Sequence, residues 1–240
     1  MTVSLNNVPW LPEQNVENST MEILYEYGSR IGKTIVPPIP VEMIAEKLLG
    51  YHVELCTDGL FENPTLLGGI YFNEQVIKIN GAIEEQNGRF NFTIAHEIGH
   101  YMLHKHWLIG QRNQQNLFST SDIPEILCRD EDTTKSRGEH QADMFAAYLV
   151  MPVQFVQKTF LSLYGMNIDA SKQKSDITFP LLPNEYARQI AEEVIKKGNF
   201  INVSKIAMVN RLIGMDLITG VEYQKNDTFN NLVIEKEIPN

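Results

Sequence analysis

Phe90-Asn91-Phe92-Thr93-Ile94-Ala95-His96-Glu97-Ile98-Gly99-His100-Tyr101-Met102-Leu103-His104 is the stretch from which the rest of this 240-residue chain can be read. On a helix, residues four apart lie one above the other on one face. His96 and His100 can therefore offer two imidazole nitrogens to one metal ion, the geometry of a zinc site. Glu97 follows His96 by one step, turned about 100° around the axis. From there its carboxylate can reach water at the metal without itself ligating the ion. Ile94, Ala95, Ile98, Gly99, Met102 and Leu103 surround the histidines, so the helix is apolar over most of its circumference and is expected to be buried. Buried histidines need partners, which argues against a surface helix that happens to carry them.

A catalytic zinc normally takes three protein ligands plus water, so one more ligand must come from elsewhere. His106 stands ten positions after His96, the spacing of the H-E-x-x-H-x-x-G-x-x-H pattern. Leu103 occupies the place of the glycine in that pattern, and a helix that continues carries His106 away from the metal. Glu139 is the stronger candidate. It opens Glu139-His140-Gln141-Ala142-Asp143-Met144-Phe145-Ala146-Ala147-Tyr148-Leu149-Val150-Met151-Pro152, whose stripe of Ala142, Phe145, Ala146 and Leu149 reads as a buried helix. Asp143, one turn after Glu139 on the same face, can accept the distal N–H of a ligating histidine and fix its tautomer. The plainer readings are an acid favoured by the helix dipole at Glu139 and a solvated face at Asp143; they explain less. His104 reads as a wall residue or surface histidine. A second electrophile is needed for the tetrahedral oxyanion, and His104, His106 and Tyr148 are the candidates.

The run Arg89-Phe90-Asn91-Phe92-Thr93-Ile94-Ala95-His96-Glu97-Ile98-Gly99-His100, taken with the Glu139 to Pro152 segment, resembles the ImmA/IrrE family of zinc metallopeptidases. The order of helix, strands, zinc helix and E-x-x-x-D helix matches that family from about Val41 to Pro152. Val203-Ser204-Lys205-Ile206-Ala207-Met208-Val209-Asn210-Arg211-Leu212 is similar to its frequent C-terminal segment. The resemblance implies a minimal thermolysin-like fold with zinc on His96, His100 and Glu139, Glu97 as the base and Asp143 behind a ligand. It also implies a protein substrate, since members commonly act inside bacteria and their mobile elements by cleaving a repressor or antitoxin, many beside helix-turn-helix regulators. Two departures stand out: the 38 residues between His100 and Glu139, and Gln141, where the family often has an acid and where little effect is expected.

Outward from this centre, the pattern predicts an α+β fold: a small antiparallel or mixed sheet packed on a zinc-binding helical core, followed by a mainly helical C-terminal region. Residues 1–19 read as a polar, extended arm. A metallopeptidase domain is expected over 20–160, a linker over 161–182, and a helical region with a tail over 183–240. Within the domain, helices are expected from Met21 to Ile31 and from Val41 to Leu49, with Gly50 as a stop. Strands are expected at Tyr51 to Cys56, Gly68 to Asn73 and Gln75 to Asn80, the last two as a hairpin. Trp107 to Gly138 reads mostly as loop, with a short strand at Ile126-Leu127-Cys128. The helices predicted at Asn184 to Lys197 and Lys205 to Ile213 have a helix-turn-helix or winged-helix outline. No basic stripe runs along them, so packing or partner docking is preferred to DNA binding.

Composition agrees with a soluble globular protein: 43% hydrophobic, 21% charged, formal net charge −10. The excess of acids argues against a nucleic-acid partner. No signal-peptide pattern and no run approaching eighteen apolar residues is present, so no membrane partner is expected and the cytoplasm is the expected compartment. Cys56 and Cys128 read as packing thiols. The function read from these features is a zinc endopeptidase acting on a protein partner. The alternative is a zinc-containing regulatory module that docks a transcriptional regulator or DNA without cutting; an open three-ligand set with Glu97 beside it favours the enzyme.

Overall fold

The computed structural model describes residues 5–57, 66–115, 126–129, 135–172 and 181–221, with backbone only at 111–115 and 126–129. After a 3-10 turn at Leu5–Asn7, helix α1 spans Glu13–Ile31, starting behind Pro12 and closing on Gly32 in the left-handed region at φ 68°. Much of the segment expected as an extended arm is therefore turn and helix. The reason lies in the burial: Val16, Thr20, Ile23, Leu24 and Tyr27 form one stripe, whose first member stands isolated among Asn15, Glu17 and Asn18 in the sequence. Helix α2 (Val41–Met43) runs on as a π-helical turn, Ile44–Leu49, and ends as expected at Gly50.

Four strands follow: β1 (His52–Cys56), β2 (Leu66–Tyr71), β3 (Val76–Asn80) and, after the long central helix, β4 (Ile126–Arg129). Their spatial order is β1-β3-β2-β4. Strands β2 and β3 form the predicted antiparallel hairpin, with Ile70 opposite Ile77 and Tyr71 opposite Val76, while β1 runs parallel to β3 and makes the sheet mixed. All six residues of β2 are buried, as a strand covered on both faces should be.

Helix α3 (Asn87–Gln115) carries the two histidines across this sheet. It runs well past Leu103, into the stretch read as loop; expectations for 116–125 and 130–134 lie outside the described residues. Gly68 lets the helix approach: a Cβ there would stand 2.8 Å from Thr93 Cγ2. On its other side lies α4 (Arg137–Val150), followed by α5 (Val153–Tyr164). Gly99 of α3 meets α4 so closely that a Cβ would lie 3.1 Å from Phe145 Cβ and 3.2 Å from Ala142 Cα. Ile94, Ala95, Ile98, Ala142, Phe145 and Ala146 are fully buried there. The candidate site is thus held between two close-packed helices over a sheet.

The C-terminal region adds β5 (Ile168–Asp169), α6 (Pro183–Gly198), α7 (Lys205–Gly214) and β6 (Ile218–Thr219), with β5 and β6 paired in parallel. These elements pack on the body of the protein. Asn202 Nδ2 donates to Ile39 O at 3.0 Å, and Asn199 Nδ2 to Pro37 O at 3.1 Å. Buried Arg211 of α7 donates to Met151 O, pairs with Glu17 of α1, and lies 4.2 Å from the centre of the Tyr148 ring. Lys196 and Lys205 both meet Glu192. The whole is an α+β architecture, as the pattern predicts. Among the described residues no helix is long and apolar enough to cross a membrane.

Candidate metal centre

Ser136 caps α4, its Oγ accepting from Glu139 N at 3.3 Å, and so fixes the backbone from which Glu139 projects in the first turn. Its carboxylate arrives beside the two histidines of α3. His96 Nε2 lies 3.1 Å from Glu139 Oε2, His100 Nε2 lies 3.4 Å from Glu139 Oε1, and the two imidazole Nε2 atoms are 2.9 Å apart. His96, His100 and Glu139 form a group whose ligand atoms all fall within 4.8 Å of one another. Tetrahedral zinc with bonds of about 2.0–2.1 Å would separate its ligand atoms by roughly 3.3 Å, close to what is found.

The chemistry of these donors fits a cation. Asp143, one turn further along α4, accepts from His96 Nδ1 at 2.9 Å, so in the neutral ring Nε2 is a lone pair, aimed at the carboxylate of Glu139 and at His100. Lone pairs and a carboxylate that converge on one point repel unless a positive charge sits among them. Asp143 is in turn held by Lys135, Nζ to Oδ2 at 2.7 Å. Burial opposes ionisation of both acids. Even so, when His100 and His96 carry protons in place of a metal they hold Glu139 well below its usual range, and His96 with Lys135 lowers Asp143.

Glu97 differs from both. It is fully buried, and among the described residues neither carboxylate oxygen has a hydrogen-bonding partner. Burial, aided by the Glu139 charge and opposed by His96, pushes its carboxyl up to about 8; the Ile70 backbone lies near enough to favour the anion slightly but outside hydrogen-bonding geometry. A buried acid without partners, set against three ligand atoms, is a costly arrangement in a core that serves stability alone.

The structure thus brings together His96, Glu97, His100, Glu139 and Asp143. It leaves the other candidates elsewhere. His106 is exposed on the continuing helix and takes no part in the cluster. Tyr148 donates its hydroxyl to Glu13, away from the site. His104 is neither wall nor surface: it is buried, its Nδ1 3.0 Å from His100 Nδ1 and its Nε2 2.9 Å from Gln141 Oε1. His104 and Tyr148 thus have their ring nitrogens and hydroxyl engaged, and His106 lies outside the cluster. The sequence reading missed His104 and Gln141, although the spacing of His96, His100 and His104, each four apart on one buried face, was a signal for the first.

Comparison with known proteins agrees with this geometry. The fold and the His-His-Glu cluster define a metallopeptidase-like domain, and residues 71–164 match the model of the IrrE N-terminal-like domain, a peptidase family. A 95-residue stretch is 28% identical to the protein named Metallopeptidase ImmA of Bacillus subtilis (strain 168), covering 40% of this chain and 45% of that relative. The chain thus spans a little under half of its length. These matches support membership of the ImmA/IrrE family.

Proposed function

We propose that this chain is a zinc-dependent endopeptidase that hydrolyses a peptide bond in a protein partner, a regulator of the repressor or antitoxin type, in the cytoplasm. The observation that supports it most is the Glu97 carboxylate, buried and without a partner among the described residues, next to His96 in a group of three converging ligand atoms. A structural zinc site is closed by four ligands and has no use for an unpartnered acid; a catalytic one keeps a position open and places a base beside it.

His96, His100 and Glu139 would hold the metal, with Asp143 and Lys135 fixing the ring of His96. Zinc held there supplies Lewis-acid activation of water and of the scissile carbonyl. Glu97 then takes the proton of the attacking water and delivers it to the nitrogen of the leaving amine. For that it must be ionised. A dication held by the three ligands would favour the Glu97 carboxylate, which burial alone would neutralise. Glu139 is the ligand solvent reaches, its side chain 16% exposed against 1% or less for the two histidines, so a substrate would enter from its side.

The test is co-expression with candidate helix-turn-helix repressors and antitoxins, followed by mass analysis of fragments. Glu97→Gln should retain zinc and lose about 10²–10⁴-fold in cleavage rate. Full cleavage by this variant would refute the role of Glu97. A regulator that binds the zinc-loaded protein tightly and persists uncut would replace the enzyme with the binding module.

A further inference from the structure

Behind His100 runs a line of hydrogen bonds that leaves the metal cluster and ends on the N-terminal segment. His100 Nδ1 faces His104 Nδ1 at 3.0 Å, His104 Nε2 faces Gln141 Oε1 at 2.9 Å, and Gln141 Nε2 donates to the carbonyl of Pro9 at 2.9 Å. His100, His104 and Gln141 are all buried. We infer that His104 and Gln141 are positioning residues for His100: together with the Pro9 carbonyl they fix the tautomer in which His100 offers the Nε2 lone pair to a metal. This rests on reading the cluster as a metal site.

A backbone carbonyl can only accept, so the Gln141 amide must turn its NH₂ to Pro9 and its oxygen to His104. An amide oxygen can also only accept, so His104 Nε2 carries a proton. His104 is buried, and its hydrogen-bonding partners are an imidazole and an amide with no acid between them, so its ring is neutral. In the neutral ring, Nδ1 is then an acceptor. The proton between the two imidazoles therefore belongs to His100 Nδ1, and His100 Nε2 is left as a lone pair.

The opposite proton order shows what the relay prevents. With the proton on His104 Nδ1, His100 would carry its own on Nε2 and donate it to His96 Nε2, 2.9 Å away, satisfying both rings without any metal. That closed network would leave His104 Nε2 facing Gln141 Oε1 as acceptor against acceptor. Turning the amide over would only move the clash to Pro9. A buried pair of this kind leaves two acceptors unpaired, which biases the tautomer toward the open, metal-ready form. His96 is set by Asp143 and His100 by this second relay, so both imidazoles are aimed before any ion arrives.

The experiment measures zinc affinity of the full chain by competition with a chromophoric chelator. His104→Leu should weaken zinc by about ten- to a hundredfold, and Gln141→Met should weaken it in the same direction. His104→Asn restores an acceptor near the place of Nδ1 and should return to within about threefold of the parent, which a merely space-filling role would not produce. Parent-like affinity in His104→Leu, or equal loss in both His104 variants, would overturn the inference. Should these variants not fold, nitrogen-15 NMR of the parent protein decides: the inference requires protons on His104 Nε2 and His100 Nδ1, and a proton on His104 Nδ1 overturns it. Zinc binding abolished by His96→Ala yet untouched by His104→Leu would remove the relay and leave the metal site standing. A parent chain that takes up no zinc would instead remove the metal reading itself.

Discussion

Glu97→Gln should make the metal-stripped protein more stable at neutral and alkaline pH, in contrast to its effect on cleavage. The Glu97 carboxyl is raised from 4.5 to about 8 in the fold, chiefly by burial. An acid whose folded value lies above its unfolded one costs nothing below the unfolded value, and folding then loses stability as pH climbs from about 4.5 through about 8. At about 1.4 kcal/mol per pH unit, holding the proton at pH 7 costs on the order of 3 kcal/mol. The glutamine is neutral at every pH and lacks this loss. For a chain of this size, each kcal/mol moves the melting temperature by about 2–4 °C, so chelator-treated Glu97→Gln should melt roughly 6–12 °C above the treated parent at pH 7 and near it at pH 4.5. The slope against pH carries the test, because the amide is buried much as the neutral acid is. Parallel melting curves for the two proteins from pH 4.5 to 8 would show that the Glu97 carboxylate has a partner in the fold after all.

Gly99→Ala would normally steady a helix, but here the new methyl would press on Phe145 Cβ and Ala142 Cα at 3.1 and 3.2 Å. The expected result is a loss of about 1–3 kcal/mol in urea unfolding, together with weaker zinc uptake as α4 carries Glu139 away from the histidines. Arg211→Met removes the partner of Glu17 and the donor to Met151 O, leaving a mostly buried carboxylate alone, and should cost about 3 kcal/mol in the same assay.

Much of this site was legible because its donors lie on helices, where spacing alone states which residues share a face. His96 and His100 four apart, and Glu139 and Asp143 four apart, needed only the period of the helix. The hairpin of β2 and β3 was legible from alternation and a short turn. What escaped was whatever depends on pairing distant segments. The role of Gln141 cannot be read without knowing that the Pro9 carbonyl lies beside it, 132 residues away in the chain. Helix α1 began earlier than its polar start implied because Val16 finds the core only once other elements cover it. The two-residue strands β5 and β6 pair across roughly fifty residues of intervening chain and carry no periodic signal at that length.

Arg211 reaches back 194 residues to Glu17, and so ties an early helix to a late one. During synthesis on a ribosome, Glu17 leaves the exit tunnel long before its counter-charge has been translated. The brace between α1 and α7 therefore closes only once Arg211 has emerged, which joins these two helices late in the synthesis of the described residues.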